Sequence, residues 1–246
     1  MTAKNRRLFL FSVWVAFSGV LGGMQARAAG EKADLFVQDE RCRIEFDGRG
    51  GLRRIYNRPL DDECLKGGQT GAMPFRIYAD PTKEFEIGTN EKFQLVFDDP
   101  LATTRTLIDP ETCQLVDVNR DDGLTLRYAG GGIEVSLRVA MTREPGVSDW
   151  ALRVTNTGDA PREFLVGFPC FDGIRLGAEP GKNLATAMDQ GGLIVPAWER
   201  RGGVLGESNQ LSMQWHAVWD PATKSALGVI FMDADVRPKR LILREP

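Results

Sequence analysis

Short segments in which apolar and polar residues alternate recur along the chain, and this pattern predicts β-strands. In the clearest, residues 133–139, isoleucine, valine and leucine occupy every second position, with Glu, Ser and Arg between them. Such a segment places its apolar residues on one face of a sheet. Further strands are predicted at 43–46, 52–56, 75–78, 93–97, 123–128, 150–156, 164–169, 213–219, 227–232 and 239–243.

Turn residues separate these segments, and no segment has the pattern of a long amphipathic helix. Clusters of Gly, Asp, Asn and Pro, such as 47–51 and 157–161, lie between the strands. Many short strands with regular turn signals are typical of a β-sandwich or barrel. The predicted fold class is therefore all-β, a large antiparallel β-sandwich that forms a single domain over residues 29–246.

One stretch, residues 177–206, has the composition of a loop. A loop of that length inside a compact domain is usually functional or poorly ordered. We therefore expect this stretch to be irregular, and either functional or poorly ordered.

The first 28 residues have the features of a signal peptide. Lys4, Arg6 and Arg7 precede an apolar run at 8–21, and Ala26-Arg27-Ala28 offers the small residues of a cleavage site. The run is shorter than the roughly 20 residues of a comfortable membrane span, which makes an uncleaved anchor the weaker alternative. The expected location is the periplasm or the extracellular space, with no membrane association after cleavage.

The route of export stays open between two pathways. The sequence Arg6-Arg7-Leu8-Phe9-Leu10 resembles a twin-arginine motif, although Asn5 and Phe11 depart from the usual residues at those positions. A general secretory signal can carry an arginine pair by chance.

The net charge of the chain limits the classes of partner that we expect it to bind. Removing residues 1–28 takes away four of the 31 Lys and Arg residues and none of the 34 Asp and Glu residues, which leaves a net charge of −7. An acidic surface disfavours nucleic acids and anionic membranes as partners. We expect neither of them to bind.

The lone histidine, His216, excludes two-histidine metal sites and paired-imidazole chemistry. No metal and no cofactor are predicted. The four cysteines, Cys42, Cys64, Cys113 and Cys170, allow three disulfide pairings in an exported protein, or they are free buried thiols.

A cluster of aromatic residues provides the candidate binding surface. Trp198, Trp215 and Trp219 fall within 22 residues, together with His216. Indoles fill cores by burying a large area, or they stack on the C–H face of a sugar ring. Trp198, in the predicted loop, is the better placed of the three for stacking.

Carboxylates near this cluster could support glycosidase chemistry, which needs one protonated and one ionised carboxyl group. Asp172, Glu199, Glu207 and Asp220 lie in the same half of the chain, but the sequence alone pairs no two of them. No catalytic residue is therefore predicted. The candidate carbohydrate contacts are Trp198, Glu199, Trp215, His216, Trp219 and Asp172.

Several segments together resemble one family. They are the hairpin at 46–57, the strand at 150–156, the Phe-Pro segment at 166–174, and the late hairpin at 212–220 with 226–233. They are similar to the N-terminal galactose-mutarotase-like domain, or supersandwich, that precedes a catalytic barrel in large secreted glycoside-hydrolase-like proteins.

The resemblance implies that catalysis belongs to a second domain. In that family the sandwich packs on the barrel, and the hydrolytic carboxylates belong to the barrel. We therefore expect this chain to be truncated at its C-terminus and to lack the barrel, which would lie in the same or a longer chain. Aldose mutarotases use a pair of histidines and a glutamate, so a chain with one histidine is not expected to be a mutarotase.

The predicted function is that of an exported, non-catalytic accessory β-sandwich domain of a carbohydrate-active protein. It would pack on a catalytic barrel or position substrate for it. Two alternatives stay open. One is a small carboxylate-dependent carbohydrate enzyme (a hydrolase, lyase or epimerase), and the other is a purely structural cell-surface interaction sandwich.

Overall fold

Nearly all of the chain that the computed structural model describes lies in β-strands or in the turns between them. The described residues are 9–16, 35–66, 72–79, 88–89, 95–96, 107–108, 113–162, 164–171, 173–179, 182–187, 193–196, 204–207, 215–232 and 240–242. The strands are β1 (Phe9–Ala16), β2 (Leu35–Gln38), β3 (Cys42–Phe46), β4 (Leu52–Asn57), β5 (Asp62–Lys66), β6 (Arg76–Ala79), β7 (Gly88–Thr89), β8 (Leu95–Val96), β9 (Leu107–Ile108), β10 (Gln114–Asn119), β11 (Leu124–Gly130), β12 (Ile133–Met141), β13 (Val147–Asn156), β14 (Phe164–Gly167), β15 (Leu184–Ala187), β16 (Leu193–Pro196), β17 (Val204–Glu207), β18 (Trp215–Trp219), β19 (Ala226–Met232) and β20 (Arg240–Ile242).

The all-β fold class is confirmed, and the architecture is sandwich-like. The described residues contain no α-helix, and among them there is no helix that could cross a membrane. The largest sheet has nine strands in the order β10-β11-β12-β13-β1-β19-β18-β15-β16. Its described pairs are all antiparallel.

A second sheet of four strands, β2-β3-β4-β5, faces the first, and β2 packs against β11 and β12. A third sheet has the order β14-β6-β9, and two further strand pairs are β17-β20 and β7-β8. The predicted face of β12 is confirmed, because Ile133, Val135, Leu137 and Val139 are all buried. Alternation therefore indicates correctly which side of β12 faces the core.

Among the residues whose side chains are described, Trp150 on β13 is the largest that is fully buried. Its ring lies 5.6 Å from that of Phe171, edge to face, and 6.0 Å from that of Phe46 on β3. Its indole Nε1 donates a hydrogen bond of 2.9 Å to Ser148 Oγ, so the polar edge of the ring is satisfied inside the core. Trp150 therefore joins the two main sheets.

The predicted turn at 47–51 is confirmed, and it connects the two sheets. The Asp47 carboxylate accepts hydrogen bonds from the backbone amides of Arg49 and Gly51, each 2.9 Å long. The Gly50 carbonyl accepts a 2.8 Å bond from the hydroxyl of Tyr128 on β11. Gly50 has a φ of +80°, and a Cβ there would lie 2.4 Å from that hydroxyl, so only glycine fits.

The expectation of an irregular stretch at 177–206 is wrong in part. Leu184–Ala187 and Leu193–Pro196 form a hairpin at the edge of the nine-stranded sheet, and β17 begins at Val204. Both hairpin strands are short, and neither shows a clear alternation of apolar and polar residues. Such short runs carry little periodicity, which is why the sequence pattern missed them.

In the full chain, part of the segment predicted to be a signal peptide, residues 1–28, lies within the fold. Phe9–Ala16 forms β1 between β13 and β19. Removal of residues 1–28 as a signal peptide stays a prediction.

Candidate functional site

Strand β18 presents two tryptophans on one face. Trp215, Ala217 and Trp219 are half-buried, whereas His216 and Val218, between them, are buried. Two residues that lie four positions apart in a strand have Cα atoms about 13 Å apart. The strand alternation therefore places both indoles on the outer face of the nine-stranded sheet.

Small residues lie between the two indoles. Across the β18–β19 ladder, Ala217 pairs with Gly228. Directly paired residues share a face, and their Cβ positions are close. The floor between the indoles therefore has little side-chain volume. We call Trp215, Ala217, Trp219 and Gly228 the indole slot.

His216 lies on the opposite face from the indole slot. Its side chain is 5% exposed, and its ring packs edge to face on Phe231 at 6.2 Å. It pairs across the ladder with Val229, which packs against the core. The strand alternation thus brings Trp215 and Trp219 together and separates His216 from them.

Asp220 follows β18 directly and caps the turn after it. Its carboxylate accepts bonds from the backbone amide of Ala222 at 3.0 Å and from the Thr223 hydroxyl at 2.8 Å. Burial by itself raises the pKa of Asp220, but the hydrogen bonds from Thr223 and Ala222 outweigh it and hold the pKa below its usual value. Asp220 is therefore an ionised turn-capping group.

A second carboxylate lies at the same corner. Both carboxylate oxygens of Asp62, on β5, accept from the backbone amide of Gly177, at 3.1 and 3.3 Å. Gly177 also lies against Asp220, since a Cβ on Gly177 would be 1.9 Å from Asp220 Oδ2. Both carboxylates are engaged by backbone amides or a hydroxyl, so this corner joins three segments and serves the fold.

None of the four cysteines, all of which are described, forms a disulfide bond. Cys42, Cys64 and Cys113 are buried, and Cys170 is half-buried. Cys42 and Cys64 lie on β3 and β5, two strands apart, which is wider than the Cα separation that a disulfide bridges. Burial raises the pKa of the Cys64 thiol to about 12 and that of Cys113 to about 11, so both are protonated and unreactive near neutral pH.

Three predicted contacts, Asp172, Trp198 and Glu199, lie outside the described residues. Within the described part of the chain, no three His, Cys, Asp or Glu side chains form a group that could hold a metal ion. Of the four carboxylates considered for catalysis, the structure thus describes the side chain of Asp220 alone.

Sequence reasoning identified the two indoles but missed the floor between them. The signal for Ala217 was available, because it is the small central residue of a Trp-x-Ala-x-Trp strand. Gly228 could not be found in this way, because its place opposite Ala217 depends on the register between β18 and β19. Comparison with protein-family models, curated proteins and solved structures found no match to the chain.

Proposed function

We propose that the chain is an exported, non-catalytic β-sandwich domain of a carbohydrate-active protein, and that it contacts carbohydrate through the indole slot. The observation that carries the proposal is the pair of half-buried tryptophans on one outer sheet face, separated by Ala217 and Gly228. Indoles that served only as core filling would lie on the inner face with Val218.

The slot suits a neutral sugar chain. The spacing of the two indoles is larger than one sugar ring and is on the scale of a short oligosaccharide. An indole buries the apolar C–H face of a sugar at low entropic cost, and a small floor allows the ring to approach the sheet. The net charge of −7 without residues 1–28 opposes acidic polysaccharides, so the expected ligand class is neutral oligosaccharide.

Two observations support a binding role without catalysis. Asp220 has its carboxylate oxygens engaged in a turn, and Asp62 has its oxygens on Gly177. His216 is on the core side of β18, away from the slot. The family resemblance places hydrolytic carboxylates in a separate barrel, and the sandwich-like fold is compatible with a domain that packs on one.

A glycan array with the full chain tests the proposal, followed by calorimetric titration of the tightest neutral oligosaccharide. Trp215→Ala and Trp219→Ala are each expected to weaken binding by roughly tenfold, the usual effect of removing an aromatic anchor. Ala217→Leu is expected to abolish binding with both indoles kept, because the larger side chain fills the floor.

Phe36→Ala is the matched control. Phe36 is also a half-buried aromatic residue, but it lies on β2 in the other sheet, beneath the Arg43 guanidinium at 4.1 Å. Its replacement is expected to leave glycan binding unchanged.

Aryl glycosides and free aldoses are expected to give no turnover. The proposal fails if no neutral glycan binds, or if both tryptophan variants bind as tightly as the unaltered chain.

A further inference from the structure

Strand β1 occupies the centre of the nine-stranded sheet. It pairs antiparallel with β13 from Phe9↔Val154 to Ala16↔Val147, and antiparallel with β19 from Ser12↔Met232 to Ala16↔Gly228. The strands on its two sides therefore run parallel to each other. We call the strand-wide space between β13 and β19 the strand slot.

The strand slot would not close easily without a strand in it. Its two walls lie two strand spacings apart, about 10 Å. Direct pairing of β13 with β19 would put a parallel pair into a sheet whose described pairs are all antiparallel, and parallel pairing is slightly less stable per residue. An empty slot would instead leave two unpaired edges in the middle of the sheet.

The sequence of β1 matches the faces of the slot. Positions 9, 11, 13 and 15 are Phe, Phe, Val and Val, and they pair with the buried residues Val154, Leu152, Trp150 and Ser148 of β13. Of the positions between them, Leu10, Ser12 and Trp14 pair with Arg153, Ala151 and Asp149, which are exposed or half-buried, whereas Ala16 pairs with the buried Val147. Aromatic and β-branched residues favour the extended conformation, so this apolar run suits a sheet as well as a signal peptide.

We propose that the strand slot is a peptide-binding site whose ligand is the chain's own segment Phe9–Ala16, held by the sheet independently of the covalent link through residues 17–34. In a folded, unprocessed chain this binding withdraws the apolar run from the export machinery, so folding and export compete for one segment. Retention of the segment in the sheet does not depend on carbohydrate binding, whereas its consequence for export rests on the proposed export of the chain.

The test uses the full chain, which is cleaved by a protease after it has folded. A protease recognition sequence is inserted after Ala28, the folded protein is cleaved, and the products are separated by native gel filtration with mass detection. The peptide of residues 1–28 is expected to elute with the rest of the chain and to separate only in denaturant. Hydrogen exchange in β13 and β19 is expected to be unchanged by the cut.

Val13→Pro is the informative variant, because a proline in a strand with neighbours on both sides removes a ladder hydrogen bond. Its peptide is expected to dissociate at least about tenfold more readily after cleavage. Val20→Pro, outside β1, is the matched control and is expected to retain the peptide.

Three results would overturn the proposal. The first is a peptide that leaves the unaltered chain on cleavage. The second is a cut chain that loses the peptide and forms dimers, which would make a second copy the occupant of the slot. The third is equal retention of the Val13→Pro and unaltered peptides. If Val13→Pro does not fold, retention or loss of the peptide after cleavage of the unaltered chain decides by itself whether the proposal holds.

Discussion

Gly177 occupies a position where no other residue fits. Its φ is +68°, and a Cβ would lie 1.9 Å from Asp220 Oδ2, while its amide donates to Asp62. The close approach joins the segment at 173–179 to the corners of both main sheets. The sequence shows a glycine in loop-like composition and contains no sign of this contact, which depends on residues 115 and 43 positions away.

Replacing Gly177 by alanine is expected to destabilise the fold by about 1–3 kcal/mol, because the new methyl group collides with Asp220 and the backbone conformation is strained. Urea denaturation measures the change. Gly48→Ala is the control, since a Cβ at Gly48 meets nothing within 4 Å, and it is expected to stay within about 0.5 kcal/mol. Equal losses for the two variants would contradict this account of Gly177.

The buried thiol of Cys64 makes stability depend on alkaline pH. Burial raises the pKa of this thiol to about 12 in the folded chain, although the hydrogen bond with Ser225 opposes the shift. In an unfolded chain the pKa of a cysteine is about 8.5. A raised folded-state pKa contributes stability that is complete below the unfolded pKa and is lost as pH rises towards the folded one.

We therefore expect the free energy of unfolding to fall between about pH 8.5 and pH 12, and to fall less steeply in Cys64→Ala. Denaturant titrations across that range measure both slopes. Gly48→Ala, which removes no titratable group and whose Cβ meets nothing within 4 Å, is the control and should keep the slope of the unaltered chain. A slope that Cys64→Ala leaves unchanged would show that other groups cause the alkaline loss.

At the scale of elements, the alternation of apolar and polar residues predicted strands correctly where it was strict. It predicted the strands β11, β12, β13 and β18, and for β12 it also predicted the face that is buried. It missed β10, because the register shifts between Leu115 and Asp117. This bulge interrupts the period of two, and most of β10 is exposed on both faces, so no apolar face marks it.

Tyr128, on β11 of the nine-stranded sheet, contacts the turn between β3 and β4 of the four-stranded sheet. Its hydroxyl is fully buried and donates to the Gly50 carbonyl, and its ring meets Phe75 edge to face at 5.1 Å. Tyr128→Phe is expected to cost about 1–2 kcal/mol, because the Gly50 carbonyl loses its buried partner.

The matched control for Tyr128 is Tyr56→Phe. That substitution removes a hydroxyl bond to Asp61 on the protein surface and is expected to change stability by less than about 0.5 kcal/mol. Thermal and urea unfolding of both variants provide the comparison. If Tyr128→Phe is as stable as the unaltered chain, the hydroxyl does not link the sheets.

At the scale of the whole molecule, the two main sheets share one core around Trp150. Its ring contacts Phe46 from the four-stranded sheet and Phe171 from the segment after β14. Trp150→Ala is expected to cost about 3–5 kcal/mol, because it leaves a cavity between the sheets. Denaturant unfolding measures this loss, and Trp219→Ala, at a half-buried indole, should lose much less. Similar losses would mean that the indole slot is itself part of the core.

The sequence by itself determined the local features of this protein. Alternation and turn residues specify many of the strands and which side of β12 is apolar, because these properties depend on residues a few positions apart. The same reasoning identified Trp215 and Trp219 and the signal-peptide-like composition of residues 1–28.

Only the tertiary structure decided which strands become neighbours. It placed Gly228 opposite Ala217, Gly177 against Asp220, and Phe9–Ala16 between β13 and β19. Each of these contacts joins residues far apart in the chain, and their register depends on packing two sheets around one core. An apolar run such as Phe9–Ala16 suits both a membrane and a sheet, so its own sequence could not choose between them.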